Sequence, residues 1–169
     1  MPEIATEIPA TIAPLTAQFA SAQWAVLTNL EGISDEESLR LPQPGGNSIN
    51  WIAGHIITVR QGFLKAFNEP TILPDASRSA YARGSKPGAE MPETLTDLRD
   101  MLTRSHEALV ALLPRLDEAT LASKAPFSPG NDPTETVASL LGKLVVHESY
   151  HAGQIGMARR LVGKEGAIQ

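Results

Sequence analysis

The sequence contains no cysteine. Disulfide bonds, thiolate ligands to a metal and a cysteine nucleophile are therefore excluded, and any bound metal must be held by nitrogen and oxygen atoms. Basic residues are also in the minority, with 14 Lys and Arg against 19 Asp and Glu and a formal net charge of -5 at pH 7. Because a nucleic-acid interface needs clustered Lys and Arg, we expect no nucleic-acid partner.

Long apolar runs are absent as well. A membrane-spanning helix needs about 18 consecutive apolar residues, and no stretch of this chain approaches that length. The segment MPEIATEIPATIAPL has no basic residue ahead of an apolar run, as a secretory signal peptide would have. We expect a single domain over residues 1–169, cytoplasmic and not associated with a membrane.

Four stretches carry apolar residues at the spacing of an amphipathic helix, and the alternation typical of strands is absent. The stretches cover about 14–30, 48–67, 92–116 and 133–162. Between the second and the third, the segment 68–91 is rich in Pro, Gly, Ser and Ala, and a connection of this length is usually functional or crosses the fold. The pattern predicts an all-α protein, a four-helix bundle with a long loop between helices 2 and 3.

Proline residues mark two helix ends. Pro114 should break or kink the last turn of the third helix. Asp132 precedes Pro133 and stands three residues before Glu135, as in a capping box with proline at the first helical position. We therefore predict that the fourth helix begins at Pro133.

The most informative residues are His147 and His151 in the fourth helix. They stand four residues apart, so their imidazoles project from one face, in the same arc as Leu140, Leu144 and Ile155. That face should point into a core, where an unpaired polar group is costly. A divalent metal ion is the partner that best explains the pair, and two separately satisfied core histidines are the alternative.

A stable site of this kind normally has at least three protein ligands, and two further histidines are available. His55 lies on the flank of the apolar face of the second helix, where a ligand and a satisfied core histidine are equally good interpretations. His106 lies at a comparable offset on the third helix, and we expect it to be an ordinary surface or core residue. Three imidazoles suit zinc, nickel, copper and iron alike, so the spacing does not name the metal.

The string HESYH at 147–151 also matches the H-E-x-x-H pattern of zinc proteases, in which the glutamate is the general base. The context does not fit that class. Gln154 and Met157 stand where the extended protease pattern has glycine and histidine. Downstream of the pair, Glu165 is the one glutamate left to act as a third ligand, and it follows the predicted helix end at Gly163. A metalloprotease is therefore the least favoured interpretation.

Two segments resemble the DinB-like superfamily of four-helix-bundle metalloproteins, which includes bacterial thiol S-transferases and mycothiol-dependent maleylpyruvate isomerase. The segment 47–55, NSINWIAGH, is similar to the family pattern N-S-I-x-W-[LI]-x-x-H, and 147–155, HESYHAGQI, is similar to H-x-x-x-H-x-G-Q-[IL]. The order of elements is similar over nearly the whole chain. The resemblance implies that His55, His147 and His151 form the metal triad, with zinc or nickel as the favoured ion.

Other residues near the triad have more than one interpretation. Glu148 could orient a ligand imidazole, accept a proton or be a solvated charge, and we favour the first. Gln154 lies one turn beyond His151 and could hydrogen-bond in the same cavity or between helices. Trp51 could line the mouth of the site, although such aromatics are more often packing residues. Arg159 could bind an anionic thiol cofactor, although cations are favoured at a helix C-terminus in any case.

Two classes of function follow from this reasoning. The first is an enzyme, a metal-dependent thiol S-transferase that adds a low-molecular-weight thiol to a small electrophilic substrate. The second is a non-catalytic metal-binding or stress-related protein, in which a structural metal joins the second helix to the fourth. The resemblance also implies a homodimer, since some family members pair through helix faces.

Overall fold

The all-α prediction is confirmed by a computed structural model, which describes residues 10, 12–43, 45–88 and 90–168. Among these residues there is no strand, and one isolated bridge pairs Lys124 with Thr136. No helix in the described ranges is long and apolar enough to cross a membrane. The helices are α1 (Ile12–Leu30), α2 (Asp35–Leu39), α3 (Ile49–Ala66), α4 (Leu95–Leu112), α5 (Glu118–Ala122) and α6 (Val137–Leu161), with short 3-10 turns at Arg78–Tyr81 and Leu113–Arg115.

The four long helices α1, α3, α4 and α6 form a closed ring of neighbours. α1 packs against α6, α6 against α3, α3 against α4, and α4 against α1. The short helix α2 packs on α3 and α4, and α5 packs on α6. The predicted bundle is therefore present, with two short helices that were not predicted because five residues are too few to show a helical period.

The start of α6 differs from the prediction. α6 begins after Thr136, whose hydroxyl accepts a hydrogen bond from the amide of Ser139 at 3.2 Å. The predicted cap at Asp132 is wrong, because its carboxylate accepts from the amide and the hydroxyl of Thr134 and closes a tight turn instead. The bridge between Thr136 and Lys124 then keeps the chain extended up to the first turn of the helix.

The ends of α4 follow local side-chain chemistry. α4 begins after Thr94, which forms a capping box with Asp97. It ends at Leu112, and Pro114 lies in the 3-10 turn that follows. The expectation that Pro114 ends the regular helix is confirmed, because proline lacks the amide hydrogen that a further helical turn needs.

A layer of polar residues divides the core into two apolar clusters. Each long helix contributes one buried polar side chain to this layer: Gln23, Arg60, Ser105 and Glu148. On one side of the layer the helices bury Val26, Ile57, Leu102 and Ala152, and on the other Phe19, Phe63, Leu109 and Val145. The fold therefore places an ion pair at the centre of the bundle.

The segment 68–91 is packed onto α3 rather than lying free over it. The buried amide of Gln61 accepts a hydrogen bond from the backbone amide of Leu73 at 2.7 Å and donates one to the carbonyl of the same residue at 2.9 Å. Further along, the ring of Tyr81 is fully buried. It rests on Gly54, where a side-chain carbon would lie 2.2 Å from the ring. The segment thus forms part of the wall of the site described next.

Candidate metal centre

The structure brings His55, His147 and His151 together. The Nε2 atom of His147 lies 3.2 Å from Nε2 of His55 and 3.1 Å from Nε2 of His151. All three potential ligand atoms lie within 4.8 Å of one another. Helix α3 supplies the first histidine, and one turn of α6 supplies the other two. Of the two candidates for a third member of the cluster, His55 is present and His106 is not.

Hydrogen bonds from the Nδ1 atoms orient two of the three rings, those of His55 and His151. Nδ1 of His55 lies 2.8 Å from the backbone carbonyl oxygen of Tyr81, and Nδ1 of His151 lies 2.7 Å from Oε1 of Gln154. Both partners are acceptors, so each Nδ1 carries the hydrogen in the neutral ring. The lone pairs of both Nε2 atoms are then turned toward the centre of the cluster, as ligand histidines require.

Hydrogen bonds alone do not satisfy these three rings. With unprotonated Nε2 atoms on His55 and His151, the Nε2–H of His147 could donate to one of them and not to both. Either way, the buried Nδ1 of His147 has no partner among the described residues. A cation removes the conflict among the three Nε2 atoms, because ligand bonds of 2.0–2.1 Å in a tetrahedral arrangement place the nitrogens about 3.4 Å apart. The observed 3.2 and 3.1 Å are close to that value. The donor set therefore fits a divalent metal ion.

Burial keeps the three histidines in the form that binds metal. Desolvation is the largest cause that lowers the pKa of His55 and of His151 below the usual 6.5. It also lowers the pKa of His147, to about 3, with further contributions from the neighbouring His151 and His55. Because a neutral imidazole is the ligand form, the site is ready to bind metal at neutral pH.

The histidines line a cleft of about 1030 Å³ that opens to solvent. On one side, the indole of Trp51 stacks on the ring of His55 with centroids 4.7 Å apart, and its Nε1 donates to the Ser85 hydroxyl at 2.8 Å. On the other side, the exposed ring of Tyr150 stands edge-on to His151. Both aromatic residues belong to the lining of the cleft, which is one of the two positions considered for Trp51 from the sequence.

Glu148 is neither in solvent nor on a ligand imidazole. Its side chain is 1% exposed, and both carboxylate oxygens accept hydrogen bonds at 2.7 Å from Nε and Nη2 of Arg60. The same guanidinium donates to Gln23 and Ser105. The favoured role of orienting a ligand imidazole is therefore not the one the structure gives, because the carboxylate points into the polar layer of the core. Sequence reasoning missed Arg60, since its partner stands 88 positions away.

Two predicted site residues remain: Gln154 lies inside the cleft and Arg159 lies outside it. Gln154 lines the cleft, holds His151 as described and donates to the Tyr150 hydroxyl at 3.1 Å. Arg159 is not part of the lining. Its guanidinium donates to the carbonyls of Asn29 and Glu31, at the C-terminal end of α1, and to that of Glu165. The structure thus gives Arg159 a packing role between helix ends.

Sequence reasoning also missed three residues of the 68–91 segment. Tyr81 contributes the carbonyl that orients His55, while Arg78 and Arg83 line the cleft. A single tyrosine in a loop and scattered arginines carry no periodic signal. The one available hint was that the segment follows the helix that carries His55.

Comparisons with known proteins agree with this architecture. A family model described as the DinB superfamily matches residues 18–155. Among solved structures, one described as the conserved protein of locus from Enterococcus faecalis has a TM-score of 0.73 and 20% sequence identity, covering 89% of this chain and 95% of that one. This likeness concerns the fold alone. Among curated proteins, no relative matches the chain. The match to the family model extends over most of the sequence and includes all three histidines, and the chain belongs to the DinB superfamily.

Proposed function

We propose that the protein is a metal-dependent enzyme that transfers a low-molecular-weight thiol to small electrophilic molecules. His55, His147 and His151 would hold the metal ion, zinc or nickel. The observation that carries the proposal is that the three Nε2 atoms converge in the wall of an open cleft. Structural zinc sites are normally closed by four protein ligands, whereas catalytic sites have three and keep one position open.

The chain's own residues prepare the site. A divalent ion held there would lower the pKa of a bound thiol toward neutral pH. The Tyr81 carbonyl and the Gln154 amide fix the rings of His55 and His151, and Trp51 shields one side of the cleft. In the transfer, the thiol loses its proton to solvent and its sulfur forms a bond to the electrophilic carbon. With a substitution substrate such as chlorodinitrobenzene, the leaving group departs with the electron pair of the bond that breaks. With an addition substrate such as a maleimide, the C=C π bond breaks and the neighbouring carbon takes a proton from solvent.

The arrangement gives little support to a metalloprotease. That chemistry needs Glu148 as a general base within hydrogen-bond reach of the attacking water. Both of its oxygens are engaged by Arg60 in the core, away from the cleft. The stronger alternative is a non-catalytic protein, because the triad also joins α3 to α6.

The metal assignment is tested by elemental analysis of purified protein and by binding titrations with zinc and nickel. We expect about one ion per chain, as three ligands around one point require. His147→Ala and His151→Ala should abolish binding, and His55→Ala should weaken it severely. His106→Ala is the matched control and should bind like the unmodified protein. Full metal occupancy in the His55→Ala variant would remove His55 from the ligand set.

The chemistry is tested with zinc-loaded and nickel-loaded protein. Cysteine and coenzyme A would be offered as thiols, with chlorodinitrobenzene and N-ethylmaleimide as electrophiles. We expect thioether formation that depends on the metal and is lost in His147→Ala. A protein that binds metal fully, yet accelerates no thiol transfer over a broad panel, would favour the non-catalytic alternative.

A further inference from the structure

The cleft beside the triad has a charge opposite to that of the whole protein. The chain carries a formal net charge of -5. Nevertheless, the part of the chain that the structure describes contributes no acidic residue to the cleft lining, and its charged side chains there, histidines aside, are Arg78 and Arg83. A positive cleft in an acidic protein attracts and retains anions.

Neither arginine has all of its charge and hydrogen-bonding groups engaged within the described ranges. Nε of Arg78 is buried and has no hydrogen-bond acceptor among the described residues. The carboxylate of Asp75 stands 3.9 Å from Arg78, but it already accepts a hydrogen bond from Lys65 at 2.6 Å. Arg83 makes no side-chain hydrogen bond or ion pair within the described ranges, and its charge contributes to the lowered pKa of His55. Guanidinium groups that keep free N–H donors at the edge of a cleft are natural ligands for carboxylate or phosphate oxygens.

The position of the two arginines is fixed by the same turn that orients the triad. Arg78 opens the 3-10 turn Arg78–Tyr81, the Tyr81 carbonyl accepts the hydrogen bond from Nδ1 of His55, and Arg83 follows two residues later. The Ser85 hydroxyl ties this turn down by donating to the carbonyls of Ala80 and Ala82. Hydrogen bonds therefore fix the segment that carries the two arginines beside the histidines.

We propose that Arg78 and Arg83 form an anion subsite of the cleft, so that the molecule bound there is a small substrate or co-substrate with a carboxylate or phosphate group. The orientation of its reactive end toward the histidines rests on the proposed function. The anion subsite itself does not, because both arginines act without a metal or a thiol.

Trp51 provides a direct readout. The chain has 2 Trp residues, so a Trp24→Phe background leaves Trp51 as the single indole, inside the cleft and stacked on His55. Succinate, inorganic phosphate and neutral succinamide would be titrated at low ionic strength against metal-free and zinc-loaded protein. We expect saturable fluorescence changes with an anion and none with succinamide. The preference between succinate and phosphate tells which head group the subsite selects.

Substitution of the arginines supplies the decisive comparison. Arg78→Gln combined with Arg83→Gln should raise the anion dissociation constant at least tenfold, since charge-assisted hydrogen bonds are stronger than neutral ones. Arg104→Gln, at an exposed arginine paired with Asp100, is the matched control and should leave it unchanged. Each single variant should show a smaller loss, and Arg83→Lys should retain most of the affinity. Zinc content at the unmodified level shows that the variants are folded.

Two results would overturn the proposal. One is anion affinity unchanged in the double arginine variant. The other is anion binding seen only with zinc and lost in His147→Ala, which would assign the anion to the metal. Arginine-dependent anion binding in a protein without thiol transfer would support the subsite while rejecting the proposed function.

Discussion

At the scale of single residues, metal binding depends on three histidines that burial keeps neutral. In water an imidazole of pKa near 6.5 begins to lose metal to protons below that pH. Here the pKa of each histidine is lowered, that of His147 to about 3. Protons therefore compete less well for the folded site, and metal binding should persist below pH 6.5.

We predict that zinc affinity falls less steeply between pH 7 and pH 5.5 than it would for three histidines with the usual pKa of 6.5. The measurement is a competition titration against a chromophoric chelator whose own proton binding is corrected for. The stability of the metal-free protein should depend on pH, because a histidine whose pKa is lowered by folding binds protons more readily in the unfolded chain. Its free energy of unfolding should decline as the pH falls below about 6.5. A steep loss of zinc affinity already at pH 6.5 would contradict the shielding of the site.

At the scale of the helices, the contact between Gly54 and Tyr81 controls the orientation of His55. A methyl group at Gly54 would stand 2.2 Å from the Tyr81 ring, and that tyrosine is fully buried with no room to yield. Gly54→Ala should therefore displace the 3-10 turn and remove the carbonyl that holds His55. We expect a loss of about 1–3 kcal/mol in unfolding free energy. Zinc affinity should also fall at least tenfold.

Gly62→Ala on the same helix is the matched control for this change. The atoms nearest to its added carbon belong to Phe127 and stand at 4.0 Å, which is ordinary contact. Alanine is also the better helix former, so stability should hold or rise. Thermal unfolding and zinc titration of both variants provide the test. If Gly54→Ala behaves like Gly62→Ala, Tyr81 does not position the ligand.

The same elements show what could be predicted from the sequence and why. The one-turn spacing of His147 and His151 is local, so the pattern of a single helix was enough to predict their common face. His55 stands 92 positions from His147, and its place in the cluster depends on packing between α3 and α6, which the family resemblance supplied and periodicity did not. The surroundings of the Glu148 carboxylate were predicted wrongly for the same reason. Its partner Arg60 lies on another helix, and the two meet only through the packing of the bundle.

For the whole molecule, the buried pair of Arg60 and Glu148 links all four long helices. Removal of one partner leaves the other charge buried without compensation, which typically costs about 3–5 kcal/mol. We predict that Glu148→Gln lowers the free energy of unfolding by an amount near the lower end of that range, measured by denaturant titration. Zinc stoichiometry should stay near one ion per chain, because Glu148 is not a ligand.

Two controls isolate the effect of burial. Glu36→Gln removes an exposed ion pair with Arg40 and should change stability little, since solvent screens such pairs. Arg60→Met combined with Glu148→Leu should recover part of the stability lost in Glu148→Gln, because no unpaired charge remains. Loss of zinc binding in Glu148→Gln, with stability intact, would instead return Glu148 to the metal site.

An apolar stripe on the outer face of α6 is left exposed by the described residues. Val146, Tyr150, Met157 and Leu161 are each more than 60% exposed, and their spacing places them within one narrow arc of the helix. Exposed apolar side chains that are grouped in this way often mark an interface. We propose that a second copy of the chain packs on this stripe, as the family resemblance led us to expect.

The homodimer is tested by light scattering at micromolar concentration. We predict a mass twice the 18.0 kDa of one chain. Met157→Glu should shift the mass to that of a monomer, because a carboxylate buried between two apolar faces loses its hydration without gaining a partner. Leu41→Glu is the matched control: Leu41 is an exposed apolar residue that precedes α3 and lies outside the stripe, so the mass should not change. Zinc content should be the same in both variants, since neither residue lines the cleft. A monomeric mass for the unmodified protein would show that the stripe has another role.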